Sequence, residues 1–486
     1  MSESAAASLS PDESAIGEVV ARGDGDGGVW RSIAEALRGS QRDYTTGPVP
    51  RAIFILAVPM VLEMVMESVF AVCDVFFVSR LGAAAVATVG LTESWLTLVY
   101  AIALGLAASV SAIVARRAGE RDREGAARAA GQGILVGLGV ALLIGAAGAA
   151  LAPRLLGVMG ASPDVIGMGS TYARVMLGGN VVIVMLFLLN AVFRGSGDAA
   201  IAMRVLWLAN GINILLGPCL IFGLGPFPRL GVTGASVATT IGRGTGALFA
   251  LSRLLKPGSR VDIHTRHLRV DLTIIKRIFE LSWSATLQML LGMCSWIAII
   301  RILSSFGSDV LAGYTIGIRV IIFALLPALG VANAAATMVG QALGARKPDR
   351  AVHAVKVAAR YNSAVLAAVG AVLAIFAPAI VHLFTQDPNV VPYAANCLRI
   401  VACGFPFYGV GMVVGQSFNG AGDTRTPTLL NLGVFWCWEI PVAYLLARPF
   451  GLGPTGVYVA IALAFSAYAV AGGVLFRRGT WKMKRV

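Results

Sequence analysis

Apolar residues run along the chain in windows of about 20, the length of helix that crosses a bilayer. Such windows recur over nearly all 486 residues, with polar and charged residues gathered between them. They read as twelve spans, starting near residues 52, 84, 131, 171, 205, 231, 278, 310, 355, 393, 427 and 454. Residues 1–47 break the pattern. They are rich in Ala, Ser, Gly and acids and lack the apolar stretch of a signal peptide. The run Gly23 to Gly28 has the wrong ligand spacing for a calcium loop and reads as disorder. Trp30, Ile33 and Leu37 share one helical face, which fits a short interfacial helix or a transient one.

Composition supports a membrane protein. The chain is 57% hydrophobic and 13% charged, whereas soluble domains carry roughly 25% charge. The net charge of +14 points less to nucleic acid than to orientation in a membrane, because the basic residues lie between the apolar windows. The loops after even-numbered spans hold most of them: Arg116, Arg117, Arg121, Arg123 and Arg128; then Lys256, Arg260, Arg266 and Arg269; then Arg346, Lys347 and Arg350; then the C-terminal tail. The positive-inside rule places both termini in the cytoplasm. Six cysteines show no CxxC spacing, so neither a disulfide framework nor a zinc site is indicated.

The halves repeat at an offset of 225 residues. Gly82 matches Gly307, Gly119 matches Gly344, and Phe193 to Asp198 (FRGSGD) matches Phe418 to Asp423 (FNGAGD). Six spans per unit give both halves one orientation, a parallel repeat about an axis along the membrane normal, as in alternating-access transporters. Duplication kept for packing alone is the alternative. The expected organisation is a disordered cytoplasmic tail (1–47), a first six-helix lobe (48–255), a basic cytoplasmic loop (256–277), a second six-helix lobe (278–476) and a basic cytoplasmic tail (477–486).

Charge inside the spans is the candidate chemistry, since an ionised group in hydrocarbon is expensive and usually serves a cavity. Asp74, Glu67 and Glu63 lie on the first span near one stripe, beyond the kinking Pro59. Asp74 reads as a cation or proton site, with helix capping as the structural alternative. Glu67 and Glu63 are further acids of that site, or partners of Arg243, which lies at similar depth in the sixth span. Glu93, Arg319 and Glu439 are other intramembrane charges, the last two read as a second-lobe pair. Asn213 and Thr239 offer neutral oxygens suited to Na⁺ or to ordinary hydrogen bonds. Met64, Met289 and Tyr408 are candidates for an adaptable drug cavity. His264 and His267, without acid or thiol partners, read as part of a solvated loop. Gly131 to Gly137 (GQGILVG) reads as helix packing.

Several motifs in order then resemble one family. Pro59 and Asp74 followed by VSRLGAAAVATVG, FRGSGD, NILLGP (Asn213 to Pro218), GVTGASVAT (Gly231 to Thr239), VGQALGARKPDRA (Val339 to Ala351) and FNGAGDTRTP (Phe418 to Pro427) are similar to the MATE family, multidrug and toxic compound extrusion. The resemblance covers about residues 48–478. It implies twelve helices in two lobes, a V-shaped central cavity, and export of cationic or amphipathic compounds driven by inward Na⁺ or H⁺. It also implies a first-lobe cation site, to which Asp74, Asn213 and Thr239 correspond. That site has a second carboxylate on the fifth helix, where this chain has Gly217. The acids of the NorM-like branch are missing where the tenth helix offers Tyr408, so the resemblance favours the DinF-like branch with a modified site.

The expectation is therefore an all-α polytopic protein of the cytoplasmic membrane. It would act as a monomeric antiporter without cofactor or nucleic acid, taking small-molecule drugs or metabolites. With one oxygen ligand missing, protons are expected to couple more than Na⁺. A flippase for lipid-linked or other amphipathic metabolites, a membrane-embedded enzyme and a receptor are the rivals. The enzyme lacks a clustered catalytic set, and the intact repeat argues against a receptor.

Overall fold

The computed structural model describes residues 27–39 and 43–484, and every regular element in them is helical. Among the described residues, ten helices are long and apolar enough to cross a membrane. Spans 1 to 5 are Val49–Ser79, Ala83–Gly119, Arg123–Val158, Pro163–Ser196 and Ala199–Phe222. Spans 7 to 9 are Leu272–Leu303, Ser308–Gly344 and Pro348–Ile375. Span 11 covers Arg425–Ala447 and span 12 Gly453–Arg478. Span 10 is a pair, Val391–Cys403 and Phe405–Gly420, bent by 58°. Span 6, Val232–Leu254, is not among these ten, and glycine and threonine stand in place of leucine along it. Those small residues let it lie against span 5: a Cβ on Gly242 would fall 2.5 Å from the Ala209 carbonyl oxygen. The twelve spans make two six-helix lobes.

Backbone geometry repeats with the sequence. Gly82 (φ 95°) and Gly307 (φ 109°) precede spans 2 and 8, and Gly197 (φ 86°) and Gly422 (φ 80°) follow spans 4 and 10. Arg121 (φ 60°) and Arg346 (φ 58°) are the positive-φ non-glycine residues among those described, and they too lie 225 apart. Each ends a helix with the same closure: Asp122 N–H donates to the Arg117 carbonyl at 2.9 Å, Lys347 N–H to that of Ala342 at 2.8 Å. A left-handed arginine costs about 1 kcal/mol, so its appearance in both halves marks one inherited turn.

The lobes meet most tightly where these turns lie. A Cβ on Gly119 would sit 2.0 Å from the Gln341 carbonyl oxygen, and one on Gly344 would sit 2.1 Å from that of Arg116. Gln341 Nε2 also donates to Gly195 O at 3.0 Å. The first and seventh spans cross over at this end. Ile53, Leu56 and Met60 of span 1 join the second-lobe core, while Ile278 and Leu281 of span 7 join the first-lobe core.

Two expectations are corrected here, the disordered N-terminal tail and the solvated His267. The N-terminal segment is only partly the disordered tail expected over 1–47. Residues 1–26 and 40–42 lie outside the described residues, but Gly27–Arg38 form a helix and Ala36 and Tyr44 are buried in the second-lobe core. Buried side chains and basic donors order it: Arg350 donates to the carbonyls of Tyr44 (2.9 Å), Thr46 (2.7 Å) and Gly47 (2.7 Å), and Arg204 to those of Leu37 (2.7 Å) and Arg38 (2.9 Å). The C-terminal tail also packs, with Trp481 buried and stacked 4.6 Å from Phe476. In the basic loop His267 is buried rather than solvated. Its ring meets Glu124 at 3.1 Å, and its carbonyl accepts from Gln132 at 2.9 Å. Gly131 makes that approach close, since a Cβ there would lie 2.6 Å from the same carbonyl oxygen.

Candidate functional site

Span 1 carries its three acids along the first lobe, and the lobe treats them differently. Glu63 is 2% exposed and accepts from Arg194 Nη1 at 2.7 Å and Asn190 Nδ2 at 3.3 Å, both on span 4. One turn on, Glu67 accepts from Arg243 Nη2 of span 6 at 3.2 Å and from Asn210 Nδ2 of span 5 at 2.9 Å. Each glutamate thus has one guanidinium and one amide. The i, i+4 spacing stacks the two sets on one face of span 1. Arg243 is itself enclosed by the rings of Phe70 (5.4 Å), Tyr100 (5.7 Å) and Phe187 (5.8 Å), which favour its charge.

Asp74 stands apart. It is half-buried, and no hydrogen bond or ion pair engages its carboxylate among the described residues. Longer-range charge reaches it from Arg243 and from Glu93. Seven residues beyond Glu67, it is the acid of this helix left available for a mobile ion.

Asn213 and Thr239 come together as a pair: Asn213 Nδ2 donates to Thr239 Oγ1 at 2.8 Å, and that hydroxyl donates to the Ala235 carbonyl at 2.9 Å. Neither bonds to Asp74. At Gly217, on the next turn, a Cβ would meet only Asn213 Oδ1, at 3.9 Å. The place where the resemblance puts a carboxylate is open space.

The expected pair of Arg319 and Glu439 is not formed. Span 8 turns Gly313 and Gly317 onto span 10, where added Cβ atoms would meet Tyr393 and the Cys397 sulfur at 2.7 and 2.9 Å. Two residues past Gly317, Arg319 points away from that packing and is exposed. Its charge reaches Glu93 on span 2, which also senses Asp74. Glu439 ends a π-helical stretch, Leu432–Glu439, is 4% exposed, and its Oε2 has no hydrogen-bond partner. Met64 and Met289 are half-exposed. Tyr408 lies within second-lobe packing, stacked 4.0 Å from Phe465.

Arg194, Asn190 and Asn210 were missed as partners in the sequence. Arg194 was read only as part of the FRGSGD repeat. The available signal was charge balance: a first lobe with Glu63 and Glu67 in its spans needs two buried bases, and Arg243 is one.

The model of the MatE family matches twice, over residues 59–219 and 285–445, two segments 226 residues apart. The chain belongs to the MatE family. This is a family of membrane transporters and not of enzymes, and its duplicated model coincides with the repeat in backbone geometry. The chain is similar to the probable multidrug resistance protein YoeA of Bacillus subtilis, 25% identical over 442 residues, covering 90% of this chain and 95% of that one. It is 24% identical over 405 residues to the FAD transporter of Shewanella oneidensis, covering 82% and 88%. Among solved structures, an outward-facing multidrug resistance MATE transporter of the MOP superfamily superposes with a TM-score of 0.85 at 27% identity, covering 91% and 98%.

Proposed function

We infer that this MatE transporter is a secondary active exporter, moving cationic or amphipathic small molecules out of the cytoplasm by alternating access in exchange for H⁺ or Na⁺. Asp74 carries the reading. Of the three acids on span 1, two are held by arginines and amides, and the third has no partner. A lone carboxylate in a membrane protein must neutralise or bind a cation. Protons are favoured over Na⁺, because Gly217 supplies no carboxylate and Glu67, occupied by Arg243 and Asn210, is a poor replacement. The branch favoured by the motifs is the DinF-like one. Basic loops after even-numbered spans support a bacterial inner-membrane location with both termini cytoplasmic. We take the unit to be a monomer without cofactor or nucleic-acid partner. The multidrug name of YoeA supports drugs as substrates. Similarity to an FAD transporter favours, as a second reading, an amphipathic metabolite as the exported compound.

The test is dye efflux from proteoliposomes under separate H⁺ and Na⁺ gradients. Asp74→Asn is expected to fold and insert but lose at least tenfold in gradient-driven efflux, and a proton gradient alone is expected to drive the wild type. Full efflux by Asp74→Asn would remove the coupling role. Efflux that needs Na⁺ and ignores the proton gradient would reverse the choice of ion.

A further inference from the structure

Two charges between the lobes take no part in the pairs of the first lobe. Glu93 stands ten residues after Ala83, the start of span 2, and Arg319 stands eleven after Ser308, the start of span 8. At the 225-residue offset, Glu93 corresponds to Ile318, so Arg319 is one residue past the equivalent position. Spans 2 and 8 pack against each other across the lobe boundary. Near-equivalent positions on two helices related by an axis between them face each other when both face that axis. Both side chains are exposed, and no ion pair within 4.0 Å and no side-chain hydrogen bond engages either among the described residues. Their charges nevertheless sense each other, and Glu93 also senses Asp74.

The space between the lobes is therefore polarised. Its first-lobe wall carries Glu93, with the charge of Asp74 in reach, and its second-lobe wall carries a guanidinium. An unpaired arginine facing lipid would be costly, whereas one facing a hydrated cleft is not. No ion pair closes Glu93 onto Arg319, so both charges remain available to a guest. A carboxylate alone attracts any cation; a guanidinium repels cations and takes a carboxylate or phosphate through its planar fork.

We propose that Glu93 and Arg319 are an opposed-charge recognition pair for zwitterionic amphiphiles, the cationic group lying toward Glu93 and the anionic group toward Arg319. This rests on the exporter reading and names the substrate class it favours. Arg319 then sets specificity: its removal acts with opposite sign on zwitterions and on simple cations.

Rhodamine 110, a zwitterion at neutral pH, and rhodamine 123, its methyl ester and a simple cation, differ only at that carboxylate. Their affinities for the full chain in lipid nanodiscs are read by fluorescence anisotropy, without any gradient. The wild type is expected to bind rhodamine 110 more tightly. Arg319→Gln should weaken rhodamine 110 about tenfold, the worth of one charge-assisted hydrogen bond, and should tighten rhodamine 123. Glu93→Gln should weaken both dyes. The exchanged double variant, Glu93→Arg with Arg319→Glu, should regain the preference for rhodamine 110. Equal affinity of the wild type for the two dyes, binding of neither, or an Arg319→Gln variant that shifts both in the same direction overturns the proposal. Efflux separates the two readings. A wild type that shows the binding pattern but no gradient-driven efflux of either dye retains the recognition pair and loses the antiport.

Discussion

At the scale of single residues, the first lobe sorts its acids by what surrounds them. Glu67 and Arg243 are a largely buried pair, and Arg243 has no other hydrogen-bond acceptor for its Nε and Nη1. Removing either partner strands the other. Glu67→Gln and Arg243→Gln should each cost about 3 kcal/mol, and the double variant should recover part of the loss. Thermal unfolding in detergent measures this, and simple addition of the two losses would mean the pair is not coupled. Gly217 offers a complementary experiment. Its open space beside Asn213 admits a side chain, so Gly217→Asp should fold and place a carboxylate where the family resemblance expects one. Efflux by that variant is expected to gain a dependence on Na⁺. Unchanged ion dependence would show that Asn213 and Thr239 are not ligands of the coupling ion.

At the scale of elements, span 6 illustrates how packing outweighs hydropathy. Its glycines approach span 5 along a whole face: Cβ atoms at Gly234 and Gly246 would lie 2.5 Å from the Leu220 carbonyl oxygen and 2.7 Å from the Ala209 Cβ. Close helix contact replaces apolar bulk. Gly242→Val should therefore destabilise by about 2 kcal/mol through overpacking. Gly217→Ala, one turn from Asn213 on the partner helix, should be neutral or slightly stabilising, because a methyl group there makes only an ordinary 3.9 Å contact with Asn213 Oδ1 and the unfolded chain loses freedom. Melting temperatures of the two variants in one detergent decide it, and equal losses would contradict the close-contact account. The break in span 10 and the π-helical stretch of span 11 each lie beside a proline, Pro406 and Pro441, whose missing N–H interrupts the regular helical ladder. Gly404, where span 10 bends, stands two residues before Pro406 in the first turn of the second half, and a Cβ on Gly404 would lie 3.0 Å from the Ala462 Cα.

At the scale of the whole molecule, the N-terminal segment joins the lobes at their basic-loop end. Asp43 pairs with Arg121 of the first lobe at 2.8 Å, while the next residues are held by Lys347 and Arg350 of the second. Burial alone would push the Asp43 carboxyl up. The hydroxyl and amide of Thr45 and the charge of Arg121 outweigh that and hold it below the ordinary carboxylate range. A lowered folded-state value means that this contribution is complete above the unfolded value of 3.8 and is lost as pH falls through the folded one. The stability difference between wild type and Asp43→Asn should thus be constant from about pH 5 to 8, begin to fall near about pH 4 and vanish only below the lowered folded-state value. A difference that instead fades between pH 5 and 8 would show that another group controls the contact.

The residue pattern alone carries the number and order of the spans, the repeat, the family and the three acids of span 1, Asp74 among them. Each of these is written in local pattern: apolar windows, glycine turns at a fixed offset, a carboxylate among valines. Which acids are engaged was decided only in three dimensions, because Glu63 and Glu67 find their arginines 131 and 176 residues away. The division into lobes was also refined by packing. The sequence places residue 48 at the start of one lobe, but the first half of span 1 fills the core of the other. Helix phase separated Arg319 from Glu439, since glycines at 313 and 317 claim the packed face and leave Arg319 turned toward the cleft. Hydrophobic periodicity records that a residue is in a helix. Only the neighbours on each face determine which charge it meets.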